Sequence, residues 1–408
     1  MAVPRLDGKQ LLKDLYSLAH FGASSGGAIN RLAYGEADQE ARRWVEDQMR
    51  ELGLTVRTDQ AGNTICTYPG RVPHLTPVAI GSHTDTVRDG GRYDGALGVT
   101  AAMACVRSLQ AAGVHLRHRV EVINFAAEEA TLGGSIGSRA MAGSLSPQIL
   151  DAAGWDGAPV SSHLRTAGLD PGAVPQARRP ARSLACFLEL HVEQGGILEA
   201  AGLPLGIVEA IAGLRRYTAT FKGSANHAGS TPMAQRQDAL VMAAPFITAV
   251  RDIAVAHGIV GTVGTLHLEP GTRSVIPGWV ELGIETRGPS ECTLDIAEEQ
   301  LNQSAEDCGG EVLVLSKKPA AASEPRLLDA LEASCEELGV PHMRMPSAAG
   351  HDAQCMAHIA PMAMLFVPSR GGISHSPDEY TDPQSCVTGA EVLLNGLVRI
   401  DSLLDTEG

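Results

Sequence analysis

The sequence predicts an α/β protein with a smaller α+β unit inserted into it, and three observations lead there. A chain of 408 residues that is 44% hydrophobic is too long for one core, because single cores stop growing near roughly 250 to 300 residues. Apolar runs of strand length alternate with helical stretches through the first half, the signature of a layered α/β structure with a largely buried sheet. Between 213 and 323 the rhythm changes to strand, helix, strand, strand, helix, strand, the order of a split βαβ arrangement. The boundaries that follow are 1–212 plus 325–408 for the larger part and 213–324 for the insertion.

Each element has its own warrant. Over 37–54, Ala41, Trp44, Val45, Met49 and Leu52 recur at helical spacing and stop at Gly53. "NTICTY", "PVAIGS", "RVEVINFAA" and "LACFLEL" read as sheet strands separated by helical stretches such as 96–112. The insertion reads as strand "RRYTATFKG", helix 234–257, strands "IVGTVGTLHLE" and "WVELGIETR", helix 291–308 and strand "EVLVLS". Helices 325–338 and 351–358, strand "AMLFVP" and helix 385–404 return to the first type.

A net charge of −15 argues against nucleic-acid and anionic-membrane partners, both of which need basic patches. Eight cysteines without a C-x-x-C pair suit neither a zinc knuckle nor a small disulfide framework, so reduced thiols in a cytoplasm are expected. The first twenty residues carry Arg5, Asp7, Lys9, Lys13 and Asp14 without a long apolar run, so no signal peptide is expected. The longest apolar stretch, 239–250, contains Pro245 and falls short of the about 20 residues of a membrane span.

The polar residues that carry chemistry stand at the carboxyl ends of the apolar runs. "PVAIGSHTDT" ends in His83 and Asp85, which share a face on an extended strand, so Asp85 can orient the His83 imidazole. "GGRYDGALG" supplies Asp94 between glycines that allow close backbone approach. "VINFAAEEA" ends in adjacent like charges, Glu128 and Glu129, which repel and lose hydration unless a cation or a proton-transfer task compensates. "FLELHVEQGG" adds Glu189, His191 and Glu193, and "GGISHSPDE" adds His375. Taken singly, any one of these histidines reads more readily as a capped or hydrogen-bonded structural residue than as a ligand. Repetition of the habit at four strand ends and a loop points to a shared site, and imidazoles with carboxylates suit zinc, manganese or similar divalent ions. A rival pattern, Gly133-Gly134-Ser135-Ile136-Gly137, matches the nucleophile elbow of serine hydrolases, with Asp352 and His375 following in order. That elbow needs a strand running almost directly into the serine, whereas Glu128, Glu129 and several loop residues intervene.

Taken together, "GSHTDTVRDGGRYDGALGV", "AAEEATLGGSIGSR", "LELHVEQGGILE", "ANHAGSTPM", "SVIPG", "AAGHDAQ" and "FVPSRGGISHSPDE" resemble the hydantoinase/carbamoylase branch of the dinuclear-metal aminoacylase and carboxypeptidase superfamily. The resemblance runs from Arg31 to Tyr380. It implies a mixed-sheet, metallo-exopeptidase-like catalytic domain and an inserted ferredoxin-like (βαββαβ) domain that serves as lid and dimerisation surface. It implies two divalent ions per subunit (Zn, Mn or Co), with His83 and His191 on one, Glu129 and His375 on the other, and Asp94 between them. Glu128 would be the general base and His227 of "NHAG" the oxyanion-stabilising residue, delivered from the partner subunit of a homodimer. Gln194, Ser274, Arg287, Gly371 and Gly372 would bind substrate, Arg287 by a bidentate grip on a carboxylate. Arg215 and Arg216 read as structural. The activity implied is hydrolysis of a linear amide or ureido C–N bond, first an N-carbamoyl-L-amino acid to the amino acid, carbon dioxide and ammonia. Alternatives are an allantoate or ureido-acid amidohydrolase and an N-acyl amino acid amidase. Two departures bear on this. Ser274 stands where the family usually has Asn, and a serine reaches less far and donates one hydrogen bond. Ala348 replaces a customary glycine.

Overall fold

The computed structural model describes residues 3–404, which divide into two compact units. One runs to Glu209 and resumes over Ser323–Met345 and from Gly350 onward; the other is Ala210–Ala322 with Pro346–Ala349. Both crossings come two or three residues earlier than the boundaries read from the sequence pattern, 210 against 213 and 322 against 324, and the Pro346–Ala349 segment was not expected in the smaller unit. Ala210 and Ile211 pair with Ala322 and Ala321, and the Ala212 amide donates to the Ser347 carbonyl, so these residues close on each other.

The larger unit begins with helices α1 (Gly8–Leu18) and α2 (Glu36–Glu51), followed by strands β1 (Thr55–Thr58), β2 (Thr64–Tyr68) and β3 (Val78–His83). Helix α3 (Ala96–Ala111) leads to β4 (Val120–Phe125), and short helices α4 (Ile136–Ala142) and α5 (Val160–Thr166) precede β5 (Cys186–Val192). After α6 (Ile197–Ala201) comes β6 (Leu205–Ile211). The sheet order is β1-β2-β4-β3-β5, continued by a late strand (Met362–Val367) and then β6. β3, β4, β5 and that late strand run parallel, while β1, β2 and β6 are antiparallel to their neighbours, so the sheet is mixed. Every residue of β3, β4 and β5 is buried, as expected for parallel strands covered on both faces. One layer of that cover is α3, buried along nearly its whole length among Leu11, Leu15, Leu18 and the C-terminal helix residues Leu393 and Leu397.

In the smaller unit β7 (Gly213–Lys222), α7 (Ala239–Ala256), β8 (Val260–Glu269), β9 (Trp279–Gly288), α8 (Glu291–Asp307) and β10 (Gly310–Lys318) form a four-stranded antiparallel sheet of order β10-β7-β9-β8. Tyr217, Ala219, Phe221, Val280, Leu282 and Ile284 face Phe246, Val250 and Leu301 in its core. α7 is by length and composition apolar enough to cross a membrane, but Ala239, Ala243, Phe246, Val250 and Ala254 form one stripe buried in this unit. The two-residue β11 (Ala321–Ala322) ends the insertion. α9 (Pro325–Leu338), β12 (His342–Ser347), α10 (Asp352–Met356), the late strand, now β13, and α11 (Pro383–Leu403) complete the chain.

Candidate metal centre

The parallel strands β3, β4, β5 and β13 deliver their side chains at one edge of the sheet. β4 and β5 lie on opposite sides of β3, so the strand order reverses there, the place where α/β sheets open a crevice at their carboxyl ends. His83 ends β3, His191 stands near the end of β5, Glu128 and Glu129 follow β4, and His375 follows β13. Asp94 lies in the turn before α3, where Gly95 adopts φ +63° and a β-carbon would fall 2.4 Å from the His83 ring. Glycine is required there by both backbone and space.

Asp94 is the centre of the arrangement. Its Oδ1 lies 3.2 Å from His191 Nε2 and 3.7 Å from His83 Nε2, while Oδ2 lies 3.5 Å from His375 Nε2, which is itself 3.5 Å from Glu129 Oε1. Each carboxylate oxygen therefore faces a different set, His83-Asp94-His191 and Asp94-Glu129-His375, whose ligand atoms lie within 4.8 Å of one another. Donors about 2.0–2.1 Å from a tetrahedral zinc stand about 3.3 Å apart, so these spacings fit a divalent cation in each set. Electrostatics agree with that fit. Burial opposes ionisation of Asp94, yet His191, His83 and His375 together hold its carboxyl well below the ordinary range. Burial likewise opposes the His191 imidazolium, but Asp94 outweighs it and pushes the pKa up to about 9. Glu129 goes the other way: burial, then Asp94 and Glu128, raise it well above its usual value. The Gln194 Oε1 atom, buried without a hydrogen-bond partner, is a further acceptor in need of one.

The loops that hold these groups are strained. Ala127, Gln194 and His375 have φ of 53°, 59° and 53°, values rare for residues with a β-carbon. At Ala127 the kink separates the two neighbouring glutamates: Glu129 is buried beside His375, whereas Glu128 is partly open, with Oε2 3.7 Å from His83 Nε2 and Oε1 accepting from Ser135 Oγ at 3.3 Å.

Asp85 orients His83 by a route the sequence reading did not foresee. β3 ends at His83, so the pair does not continue along one extended face. His83 Nδ1 donates to the Asp85 backbone carbonyl at 3.0 Å, while the carboxylate stands 3.7 Å off. That carboxylate instead accepts the backbone amides of Glu128 and Glu129, one on each oxygen, both at 3.1 Å. Gln194 Nε2 donates to Asp94 Oδ2 at 2.7 Å. The Gly371 amide donates to Glu199, and Gly372 packs against the Gly195–Gly196 backbone. Glu189 gives both oxygens to Ser82 and the Ala353 amide. Ser374 and Glu379 were missed: Ser374 Oγ donates to Asp94 Oδ2 at 2.8 Å, and Glu379 accepts the Asp94 amide. Their only sequence signal is their place beside His375 in "GGISHSPDE".

The serine-hydrolase pattern does not assemble. Ser135 donates to Glu128, and His375 faces Asp94 and Glu129. Burial, then Glu128 and Glu189, push the Asp352 carboxyl well above its ordinary range.

The remaining candidates lie in the smaller unit. His227 is exposed, and its Nδ1 accepts the amides of Gly229 and Ser230 at 3.1 and 3.0 Å, which leaves the ring proton on Nε2. Its backbone bridges Val275, and the Ala228 amide donates to the Ser274 carbonyl, so the His227 and Ser274 loops are neighbours. Arg287 Nε donates to Glu285 at 2.8 Å and Nη1 to the Ala348 carbonyl at 3.0 Å. Arg215 is buried and ion-paired with Glu291, Asp295 and Glu298, and Arg216 pairs with Glu285, both structural bonds.

Paired cation-sized sets flanked by a half-open carboxylate, at the switch point of an α/β sheet, define a class: the metal-dependent hydrolases. Within it the chain belongs to peptidase family M20/M25/M40, whose profile matches residues 79–398. It is 39% identical over 398 residues to N-carbamoyl-L-amino acid amidohydrolase of Geobacillus stearothermophilus, covering 95% of this chain and 97% of the relative. With allantoate amidohydrolase of Bacillus subtilis it shares 34% over 403 residues, 94% of this chain and 95% of that one. An amidase of the hydantoinase/carbamoylase family from Burkholderia multivorans superposes with a TM-score of 0.85 at 34% identity, covering 97% and 98% of the two chains. The relatives are amidohydrolases that act on carbon–nitrogen bonds.

Proposed function

We propose that this chain hydrolyses the ureido bond of an N-carbamoyl-L-amino acid, releasing the amino acid, carbon dioxide and ammonia. The observation that carries the reading is Asp94, whose two oxygens face two separate donor sets. His83 and His191 would hold one divalent cation and Glu129 and His375 the other, with Asp94 shared, the ions being Zn, Mn or Co. Bound there, such ions supply Lewis acidity, which lowers the pKa of a water molecule and polarises a carbonyl.

The chain's own residues supply the rest. Glu128 Oε2 takes the proton of the attacking water and passes it to the leaving nitrogen, while Ser135 and the Asp85-held amide fix where the carboxylate stands. His227 acts through Nε2–H: because Nδ1 is committed to two amides, the ring is a donor at the other nitrogen, the polarity that a developing oxyanion needs. Arg287 binds the substrate's carboxylate end, the Ser274 loop beside His227 contacts its polar groups, and Gln194 with the Gly371–Gly372 loop lines the rest. The smaller unit serves as a ferredoxin-like lid and dimerisation domain, and His227 reaches the partner's metal centre. The protein works in the cytoplasm as a homodimer.

Ser274 keeps a second reading open. It is an exposed serine whose hydroxyl lies 3.5 Å from Thr272, and its short reach suits an N-acyl or another ureido acid as readily. The test is chelation followed by addition of zinc, manganese or cobalt and assay against N-carbamoyl-L-amino acids, allantoate and N-acyl amino acids. Restored ammonia release from the carbamoyl substrates is expected. Full activity in the chelated protein would overturn the metal-centre reading, and exclusive turnover of allantoate or N-acyl compounds would overturn the substrate.

A further inference from the structure

We propose that Glu379 is a positioning residue of the metal centre: its carboxylate clamps the turn that carries Asp94 and ties it to the loop that carries His375. The proposal rests on the reading of His83, Asp94, Glu129, His191 and His375 as ligands. Glu379 is only 4% exposed, and its Oε1 accepts two consecutive backbone amides, Tyr93 at 2.7 Å and Asp94 at 3.0 Å. Ser374 Oγ lies 3.2 Å from the other oxygen and donates to Asp94 Oδ2 at 2.8 Å. One acid therefore grips the Asp94 turn from behind, while the hydroxyl beside it holds the Asp94 carboxylate from the side.

The seat for this carboxyl is built into the chain. A β-carbon at Gly91 would lie 2.3 Å from the Glu379 carboxyl carbon and 2.5 Å from Oε1, so the acid rests on bare backbone. A buried carboxylate among other acids is costly unless its oxygens are bonded; two amides donate to Oε1, and the Ser374 hydroxyl faces Oε2. What it secures is orientation. Asp94 faces two donor sets with two oxygens only while its turn is held, and a small rotation would withdraw one of them. Asp85 performs the same service for Glu128 and Glu129, so both acidic ligand turns are gripped through paired amides.

The experiment titrates metal-stripped full-length protein with Zn²⁺ by calorimetry and with Co²⁺ by visible absorption. Glu379→Ala should weaken cation binding roughly 10- to 100-fold and alter the cobalt bands, whereas Glu379→Gln, which keeps an acceptor for both amides, should stay within about threefold of wild type. Gly91→Ala, which displaces the carboxyl but keeps its charge, should match Glu379→Ala, and the double variant should be no worse than either. Wild-type affinity in Glu379→Ala would overturn the proposal. Equal losses in the Ala and Gln variants would also overturn it, by assigning the effect to charge. If the Ala variant does not fold, Glu379→Asp decides: charged but one methylene short, it should bind as weakly as Gly91→Ala, and wild-type binding sinks the clamp. Asp94→Ala is the control for the ligand reading itself, which fails if that variant binds both cations normally.

Discussion

Glu128 and Glu129 share a side chain and a clamp but not an environment. Glu129 is buried against His375 and Asp94; Glu128 is partly open and bonded to Ser135. Replacing Glu128 by Gln should therefore leave the metal content intact while turnover falls by about 10²- to 10⁴-fold, the usual worth of a positioned base. Metal analysis beside a rate assay checks both halves, and a variant with near-normal turnover removes Glu128 from the mechanism. His227→Ala is expected to cost about 10²- to 10³-fold in kcat with the metals retained, as for loss of one oxyanion donor. At this scale the strand-end residues were legible because each follows an apolar run. The carboxylate role of Asp85 and the whole role of Glu379 were not, since both depend on loops from distant strands meeting, which periodicity does not report.

Helix α2 shows how an element far from the chemistry sets its geometry. Buried Arg42 pairs with Asp38 at 3.0 Å and donates to the carbonyls of Gly62, Asn124 and Phe125, the last two at the end of β4 just before the glutamate pair. Arg42→Met would leave Asp38 buried without its partner and strip those carbonyls, a loss expected at about 3–5 kcal/mol. Urea unfolding measures it; a loss below about 1 kcal/mol, the range of an exposed pair, would show that the pair does not hold the strand. The long buried strands and amphipathic helices were readable from sequence. β1, β6, β11, β12 and the short helices α4 to α6 were not, most being brief or flanked by glycine, and α1 (Gly8–Leu18), ahead of the first helix read, was not either. α7 begins at Ala239 rather than 234 because Asp238 caps it, accepting the amides of Leu240 and Val241, after a tight turn over Met233–Gln235.

At the scale of the whole molecule, the smaller unit presents unmatched apolar surface. β8 is an edge strand with Val260 56% and Leu266 47% exposed, and α7 leaves Val241 and Val255 66% and 71% exposed. An open edge beside an apolar helix face is a ready pairing surface, which supports the proposed homodimer. If His227 serves the partner's centre, mixing Glu128→Gln with His227→Ala subunits restores one complete site per heterodimer, or about a quarter of wild-type activity after random exchange. Heterodimers verified by tagging that stay as inactive as both parents would place His227 in its own chain's site. The sheet of the larger unit also has a consequence for how the protein is made. β13 lies between β5 and β6, yet it follows them only after the entire insertion has been threaded through the ribosome. A nascent chain that has completed residues 210–322 holds a βαββαβ unit whose contacts are local, able to fold at once, while β5 and β6 each wait with the edge that β13 will pair left open. Until residues 362–367 emerge and slot between them, the half-built sheet is the point of greatest exposure to aggregation and to chaperones, and any truncation before β13 leaves it there.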